Sequence, residues 1–250
     1  MRLWKMAEQP SLKPSETMPA DISILCTRPV KPTLVDEAVE NGIQLEVIPV
    51  IDTEPIQDID IQQEVEQTAL QYATVVFTSM NAVESVITML DHQVPEWNIY
   101  CMGNTTAQII REYFGETSIA GTGLDASDLA EAIIESGETE EVVFFCGDQR
   151  RDELPGKLNH AGITVNEVVV YRTIPLHKKI EKEYQAILFF SPSAVDSYFK
   201  LNKAAEQTVF FAIGQTTAMA IKKYSNNKTI IANTPGKDEL VRKAIYHFSE

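Results

Sequence analysis

Short β-branched and aromatic runs alternate with helically spaced apolar residues along almost the whole chain. SILCT (23–27) has the character of a strand, TLVDEAVENG (33–42) of a helix that closes on Gly42, and QLEVIPVI (44–51) of a second strand. A polar helix over 60–71 leads into the strand TVVFTS (74–79). The rhythm then continues as helix NAVESVITMLDH (81–92), strand NIYCMG (98–103), helix TTAQIIREYFG (105–115), short strand TSIAG (117–121) and helix ASDLAEAIIESG (126–137). Strands this apolar, separated by helices, predict α/β architecture with doubly wound parallel sheets covered on both faces.

The pattern repeats. FTSMNAV (77–83) returns as FFSPSAV (189–195), and CMGNTTAQII (101–110) as AIGQTTAMAI (212–221). The offsets agree: Ser79 and Ser191 are 112 positions apart, Gly103 and Gly214 are 111 apart, and so are Leu129 and Leu240. A weaker pair precedes each copy. NGIQLEVIPVIDTEP (41–55) resembles AGITVNEVVVYRTIP (161–175), with Gly42 and Gly162, Thr53 and Thr173, and Pro55 and Pro175 each separated by 120. Four matched features in one order indicate an internal duplication, and so two similar lobes.

Each copy opens on hydroxyl-rich turns at the carboxyl ends of strands, the rim where open α/β sheets bind ligands. Ser79, Asn81, Ser191 and Ser193 occupy the first turn, and Thr105, Thr106, Thr216 and Thr217 the second, beside Gly103 and Gly214. Asn81 with Glu84, and Ser193 with Asp196, have the spacing of a capping box, so one reading is only that two helices start well. The other is that several helix N-termini with hydroxyl donors converge on a carboxylate ligand. No GxGxxG or GxxxxGK[ST] fingerprint is present, which disfavours a nucleotide enzyme.

Composition narrows the picture. With 250 residues and 44% hydrophobic content the chain can bury two cores. A net charge of -15 disfavours nucleic acid or an anionic membrane as partner, though not a small anion held by a local field. Cys26, Cys101 and Cys146 share no CxxC spacing and each ends an apolar run, as reduced core residues do. The four histidines are scattered, so no metal site and no cofactor is expected. Residues 1–20, with three prolines and little periodicity, read as a flexible extension without the apolar centre of a secretory signal; a cytoplasmic monomer is expected.

In order and spacing, TRP (27–29), FTSMNAV, MGNTTA, FFCGDQRRDELPGKL, VVVYRT, FFSPSAV, IGQTTA and the late TPGKDEL resemble the uroporphyrinogen-III synthase family over roughly residues 21 to 249. The resemblance implies two lobes joined by a two-strand connector, with a cleft between them. Lobe one would be 21–48 plus 175–250, lobe two 55–169, and the connectors 48–55 and 169–175. It also implies a cofactor-free cyclisation of hydroxymethylbilane, which carries eight carboxylates, with inversion of the terminal ring to give uroporphyrinogen III. Tyr171 matches the family's connector tyrosine, which either helps the hydroxyl leave or packs at the hinge. Arg28, Arg150 and Arg151 follow strands and either pair with the substrate's acetates and propionates or are solvated; DQRRDEL does not single out one arginine for the family's position. Two other readings stay open: a non-catalytic two-lobed binder or sensor of a small polycarboxylate, and a protein-interaction domain.

Overall fold

The structure, a computed structural model, describes residues 22–234 and 236–249; the expected N-terminal extension lies outside the described residues. Elements follow one another as β1 (Ile22–Cys26), α1 (Pro32–Glu40), β2 (Ile43–Val47), β3 (Ile51–Pro55), α2 (Ile59–Ala69), β4 (Ala73–Phe77) and α3 (Met80–Met89). Next come β5 (Trp97–Met102), α4 (Asn104–Phe114), β6 (Ile119–Gly123), α5 (Ala126–Ser136), β7 (Glu141–Gly147), α6 (Glu153–His160) and β8 (Thr164–Pro175). The chain ends with β9 (Ala186–Phe189), α7 (Pro192–Leu201), β10 (Val209–Ala212), α8 (Gln215–Lys222), β11 (Thr229–Ile231) and α9 (Lys237–Ser249).

The chain forms two compact units, one ending at Val50 and resuming at His177, the other spanning Ile51–Leu176. The first holds a five-stranded sheet in the order β11-β10-β9-β1-β2, with every pairing parallel. The second holds six strands in the order β3-β8-β7-β4-β5-β6, parallel except that β3 runs against β8.

Strand periodicity explains why both faces are apolar. In β4, Val75 and Phe77 join a cluster with α2, α3 and α4, while the intervening Val76 faces Leu129, Ile133, Leu154 and Leu158 of α5 and α6. All three β4 side chains are fully buried, and Phe77 stacks on Phe145 of β7 with ring centroids 5.4 Å apart. In the other sheet Ile24, Cys26, Leu188 and Phe211 pack on α1 and α9. Phe189 meets Tyr198 and Phe199 of α7 on the opposite face. The doubly wound parallel arrangement read from the sequence is present in each unit.

Two sequence expectations are corrected. QLEVIPVI is not one strand: the chain breaks around Pro49, which has no N–H to give a ladder, and β2 and β3 join different sheets. TSIAG begins as a 3-10 turn (Glu116–Ser118), so β6 starts only at Ile119. The duplication also has a structural expression. Thr53 and Thr173, matched by the 120-residue offset, lie directly opposite one another in the antiparallel β3–β8 pair.

Candidate functional site

Because every strand except β3 runs parallel to its neighbours, the loops that leave the carboxyl ends of the parallel strands in each sheet emerge along one edge. In the second unit these follow β4 (Ser79), β5 (Gly103), β6 (Asp125) and β7 (Asp148 to Arg151). In the first they follow β1 (Arg28), β9 (Ser191), β10 (Gly214) and β11 (Gly236, Lys237). The sequence-predicted residues Arg28, Ser79, Asn81, Thr105, Thr106, Arg150, Arg151, Ser191, Ser193, Thr216 and Thr217 all belong to these two edges, and Tyr171 stands on β8 beside Gly147.

The helix starts differ from the capping boxes expected of Asn81 and Ser193. The caps are two residues earlier: Ser79 Oγ accepts from Asn81 N–H at 3.2 Å, and Ser191 Oγ accepts from Ala194 N–H at 3.2 Å. Asn81 and Ser193 sit inside the first turn, with Ser193 Oγ 3.1 Å from Ser191 Oγ. The reason lies in the backbone: Ser79 and Ser191 keep extended φ/ψ, as a cap requires, and the following residues are already helical.

The threonine turns are of another kind. Gly103 and Gly214 occupy the cap positions of α4 and α8, and neither helix has a side-chain cap. Gly103 needs its missing side chain, since φ is +86°, whereas Gly214 is ordinary extended backbone. In both turns the first threonine, Thr105 or Thr216, is exposed and the second, Thr106 or Thr217, is buried. Thr217 Oγ1 has no hydrogen-bond partner. A buried hydroxyl left without a partner costs about 1–3 kcal/mol.

Tyr171 is positioned by features that sequence reasoning missed. The register of β7 against β8 shifts at Gly147, which brings Tyr171 opposite it. A Cβ on Gly147 would lie 2.4 Å from the Tyr171 ring, so the glycine makes the space the phenol occupies. Tyr171 Oη donates to Ser79 Oγ at 3.2 Å. Asp148 braces the strand, its N–H donating to Tyr171 O at 3.1 Å and its Oδ1 accepting from Thr173 N–H at 3.0 Å. Burial pushes the phenol above its ordinary value, the hydrogen bond to Ser79 opposing this in part. Tyr171 is therefore a protonated donor throughout the neutral range.

The arginines separate into distinct environments. Arg150 forms ion pairs with Asp152 and Glu167, so its guanidinium is already engaged by two carboxylates of the chain. Arg151, in the same turn, is exposed. Arg28 is half-buried, lies 5.6 Å from the centroid of the Phe190 ring, and has a buried Nε with no hydrogen-bond partner. The three cysteines are free and buried in β1, β5 and β7; burial pushes the thiols of Cys26 and Cys146 up to about 11 and about 12. Among the described residues no group of three histidine, cysteine or carboxylate side chains is arranged to hold a metal, and no helix is long and apolar enough to cross a membrane.

Residues 33–242 match the family model described as uroporphyrinogen-III synthase HemD. The chain belongs to the uroporphyrinogen-III synthase family. The Saccharomyces cerevisiae uroporphyrinogen-III synthase is 34% identical over 117 residues, covering 40% of this chain and 42% of the yeast protein, so the chain spans about two fifths of that relative. Its fold is shared with the uroporphyrinogen-III synthetase of Helicobacter pylori 26695, at a TM-score of 0.61 and 17% identity over 90% of this chain and 99% of that one. A mutant uroporphyrinogen III synthase of Thermus thermophilus gives a TM-score of 0.58 at 14% identity, covering 90% of this chain and 98% of that one.

Proposed function

We propose that the protein is a cofactor-free uroporphyrinogen-III synthase that cyclises hydroxymethylbilane with inversion of the terminal pyrrole ring, as part of haem and tetrapyrrole biosynthesis. The observation that carries this reading is the pairing of the Tyr171 phenol with the Ser79 hydroxyl, at a helix start of the kind found on both edges.

In the proposed reaction the phenol donates to the terminal hydroxyl, which leaves as water. The pyrrole nitrogen of that ring gives up its proton as the azafulvene forms, and this proton restores the phenol. The substituted carbon of the last pyrrole attacks the azafulvene to give a spiro intermediate; fragmentation and reclosure then invert the ring, and the proton freed as that ring regains aromaticity replaces the pyrrole N–H lost when the azafulvene formed, so that only water leaves. Ser79 assists by holding Tyr171. Its Oγ accepts from both Asn81 N–H and Tyr171 O–H, which leaves its own hydrogen to donate to the substrate. The rest of the catalytic task is geometric, because attack one carbon away gives the uninverted isomer.

The rims of both units are proposed to contribute to binding: Thr105, Thr106, Arg150 and Arg151 with Ser79 and Asn81 from one, and Arg28, Ser191, Ser193, Thr216 and Thr217 from the other. The antiparallel β3–β8 pair is the proposed two-strand connector, dividing lobe one (21–48 and 175–250) from lobe two (55–169). A monomer located in the cytoplasm fits this role.

The test is to supply freshly made hydroxymethylbilane and separate the cyclised isomers. The expected product is predominantly the type III isomer, formed faster than in buffer. Type I product alone, at the buffer rate, overturns the proposal.

A further inference from the structure

In the five-stranded sheet the pairing of β1 with β9 carries on past the last strand residues. Cys26 lies opposite Leu188, and Thr27 continues the contact, its N–H and its Oγ1 donating to Leu188 O at 3.3 and 2.7 Å. Arg28 and Phe190, two positions beyond Cys26 and Leu188, are therefore the next cross-strand neighbours on the face that carries Ile24, Cys26, Ala186 and Leu188. The two side chains meet. The guanidinium carbon of Arg28 stands 5.6 Å from the Phe190 ring centroid, within cation–π reach. Phe190 is only 9% exposed and packs into the core of that face, and Cys26 Sγ donates to Arg28 O at 3.2 Å, so both ends of the contact are anchored.

Arg28 differs from four other arginines in what stands beside its charge. Arg111 pairs with Glu116, Arg150 with Asp152 and Glu167, Arg172 with Glu54, and Arg242 with Glu37. Acids outnumber bases 36 to 21 in this chain, so an acid is the common partner for a base. Arg28 forms no ion pair among the described residues, and its buried Nε has no hydrogen-bond partner. A ring stands where those arginines have carboxylates. An aromatic face attracts a guanidinium without neutralising it or consuming its N–H donors, whereas a carboxylate does both.

The duplication supplies an internal comparison. The 112-residue offset carries Phe190 to Thr78, and the β4–β7 register continued by one residue sets Cys146 opposite Thr78. Neither of these is basic or aromatic. The cation and its ring thus occur together in one copy and are both missing from the other.

We propose that Phe190 is a positioning residue for substrate recognition: it holds the Arg28 guanidinium without an acid of the chain, so that one carboxylate of the substrate supplies the missing countercharge. The inference rests on the synthase reading and adds to it the residue that readies Arg28. A long side chain held in place before the ligand arrives loses less freedom on binding, and its unspent donors are what the ligand engages.

The variants Phe190→Leu, Phe190→Tyr and Arg28→Gln test it, with the leucine and glutamine changes also combined. Leucine keeps an apolar filling and removes the ring. The KM for hydroxymethylbilane should rise about fivefold with a smaller change in kcat, as the loss of one partly buried cation–π contact predicts, and Phe190→Tyr, which keeps the ring, should hold the parent's KM. A packing role alone would not depend on Arg28. In the Arg28→Gln background, therefore, Phe190→Leu should cost no further affinity.

This cycle is read on equilibrium binding of uroporphyrin III, a stable octacarboxylate, which separates the inference from the synthase reading. Losses that do not add uphold Phe190 as a positioning residue even if the parent makes only the type I isomer. Additive losses, an affinity equal to the parent's in either single variant, or no binding by the parent overturn the proposal even if the parent is an active synthase. Should Phe190→Leu fail to fold, Phe190→Met takes its place in the cycle, because the flexible thioether fills irregular space without an aromatic face.

Discussion

Tyr171 donates its phenolic proton to Ser79, 92 residues earlier in the chain, across 3.2 Å. The contact exists because two strand ends meet at one edge: Ser79 leaves β4 to cap α3, and the shifted register at Gly147 carries Tyr171 to it. The other copy has no such pair. The residue matched to Tyr171 by the 120-residue offset is Ile51, so the phenol belongs to one half of the duplication only. Duplicated hydroxyl turns suit binding, and a single phenol suits the chemical step.

Replacing Tyr171 by Phe keeps the ring that fills the space beside Gly147 and removes only the hydroxyl. Turnover should fall about a hundredfold, the lower end of what a positioned proton donor contributes, while product affinity changes little. Steady-state kinetics beside equilibrium product binding measures both. Equal turnover would reduce Tyr171 to a packing residue.

Gly147→Ala tests the same arrangement from the other side. The added methyl would stand 2.4 Å from the Tyr171 ring and must displace it or the strand. A stability loss of about 1–3 kcal/mol is expected from overpacking, with turnover falling as the phenol leaves Ser79. Pairing the substitution with Tyr171→Ala should recover stability without recovering turnover. Full activity in Gly147→Ala would show that the placement of the ring is unimportant.

Thr217→Val should separate stability from binding. Valine matches threonine in shape and removes a buried hydroxyl that has no partner, so the free protein should gain about 1 kcal/mol. Combined with Thr106→Val, the same change should weaken substrate affinity, since both buried threonines stand at helix starts without side-chain caps. Chemical denaturation and KM together give the answer. A stability gain with unchanged KM would leave these turns as plain helix starts.

The fold was legible because its signals are periodic. Apolar strands buried on both faces, such as Val75 to Phe77, can only be covered by helices on both sides, and a duplicated pattern exposes its own repeat. Local caps were legible only to within one turn: Ser79 and Asn81 are equally good capping residues by type, and backbone angles chose between them. The Tyr171–Ser79 contact depends on a register shift at Cys146/Gly147, and such a shift leaves no periodic trace. Arg150 read as a free cation because Glu167, its partner, lies 17 positions away on another strand.

The buried acids of the core predict how stability depends on pH. Burial pushes the thiols of Cys26 and Cys146 from 9.0 to about 11 and about 12, and the phenol of Tyr198 from 10.0 to about 12. In each case the folded chain favours the protonated form, so the unfolded chain releases its protons first as the pH rises. The stabilisation is therefore fully present below about pH 9 and is lost progressively towards pH 12. Tyr198 alone accounts for up to about 2–3 kcal/mol of this dependence. Urea midpoints should be level from neutral pH to about 8.5 and fall steeply above it. Tyr198→Phe, which removes one of these groups at nearly constant shape, should give a shallower fall. A midpoint independent of pH up to about 11 would mean that these side chains titrate in the folded protein as they do in water.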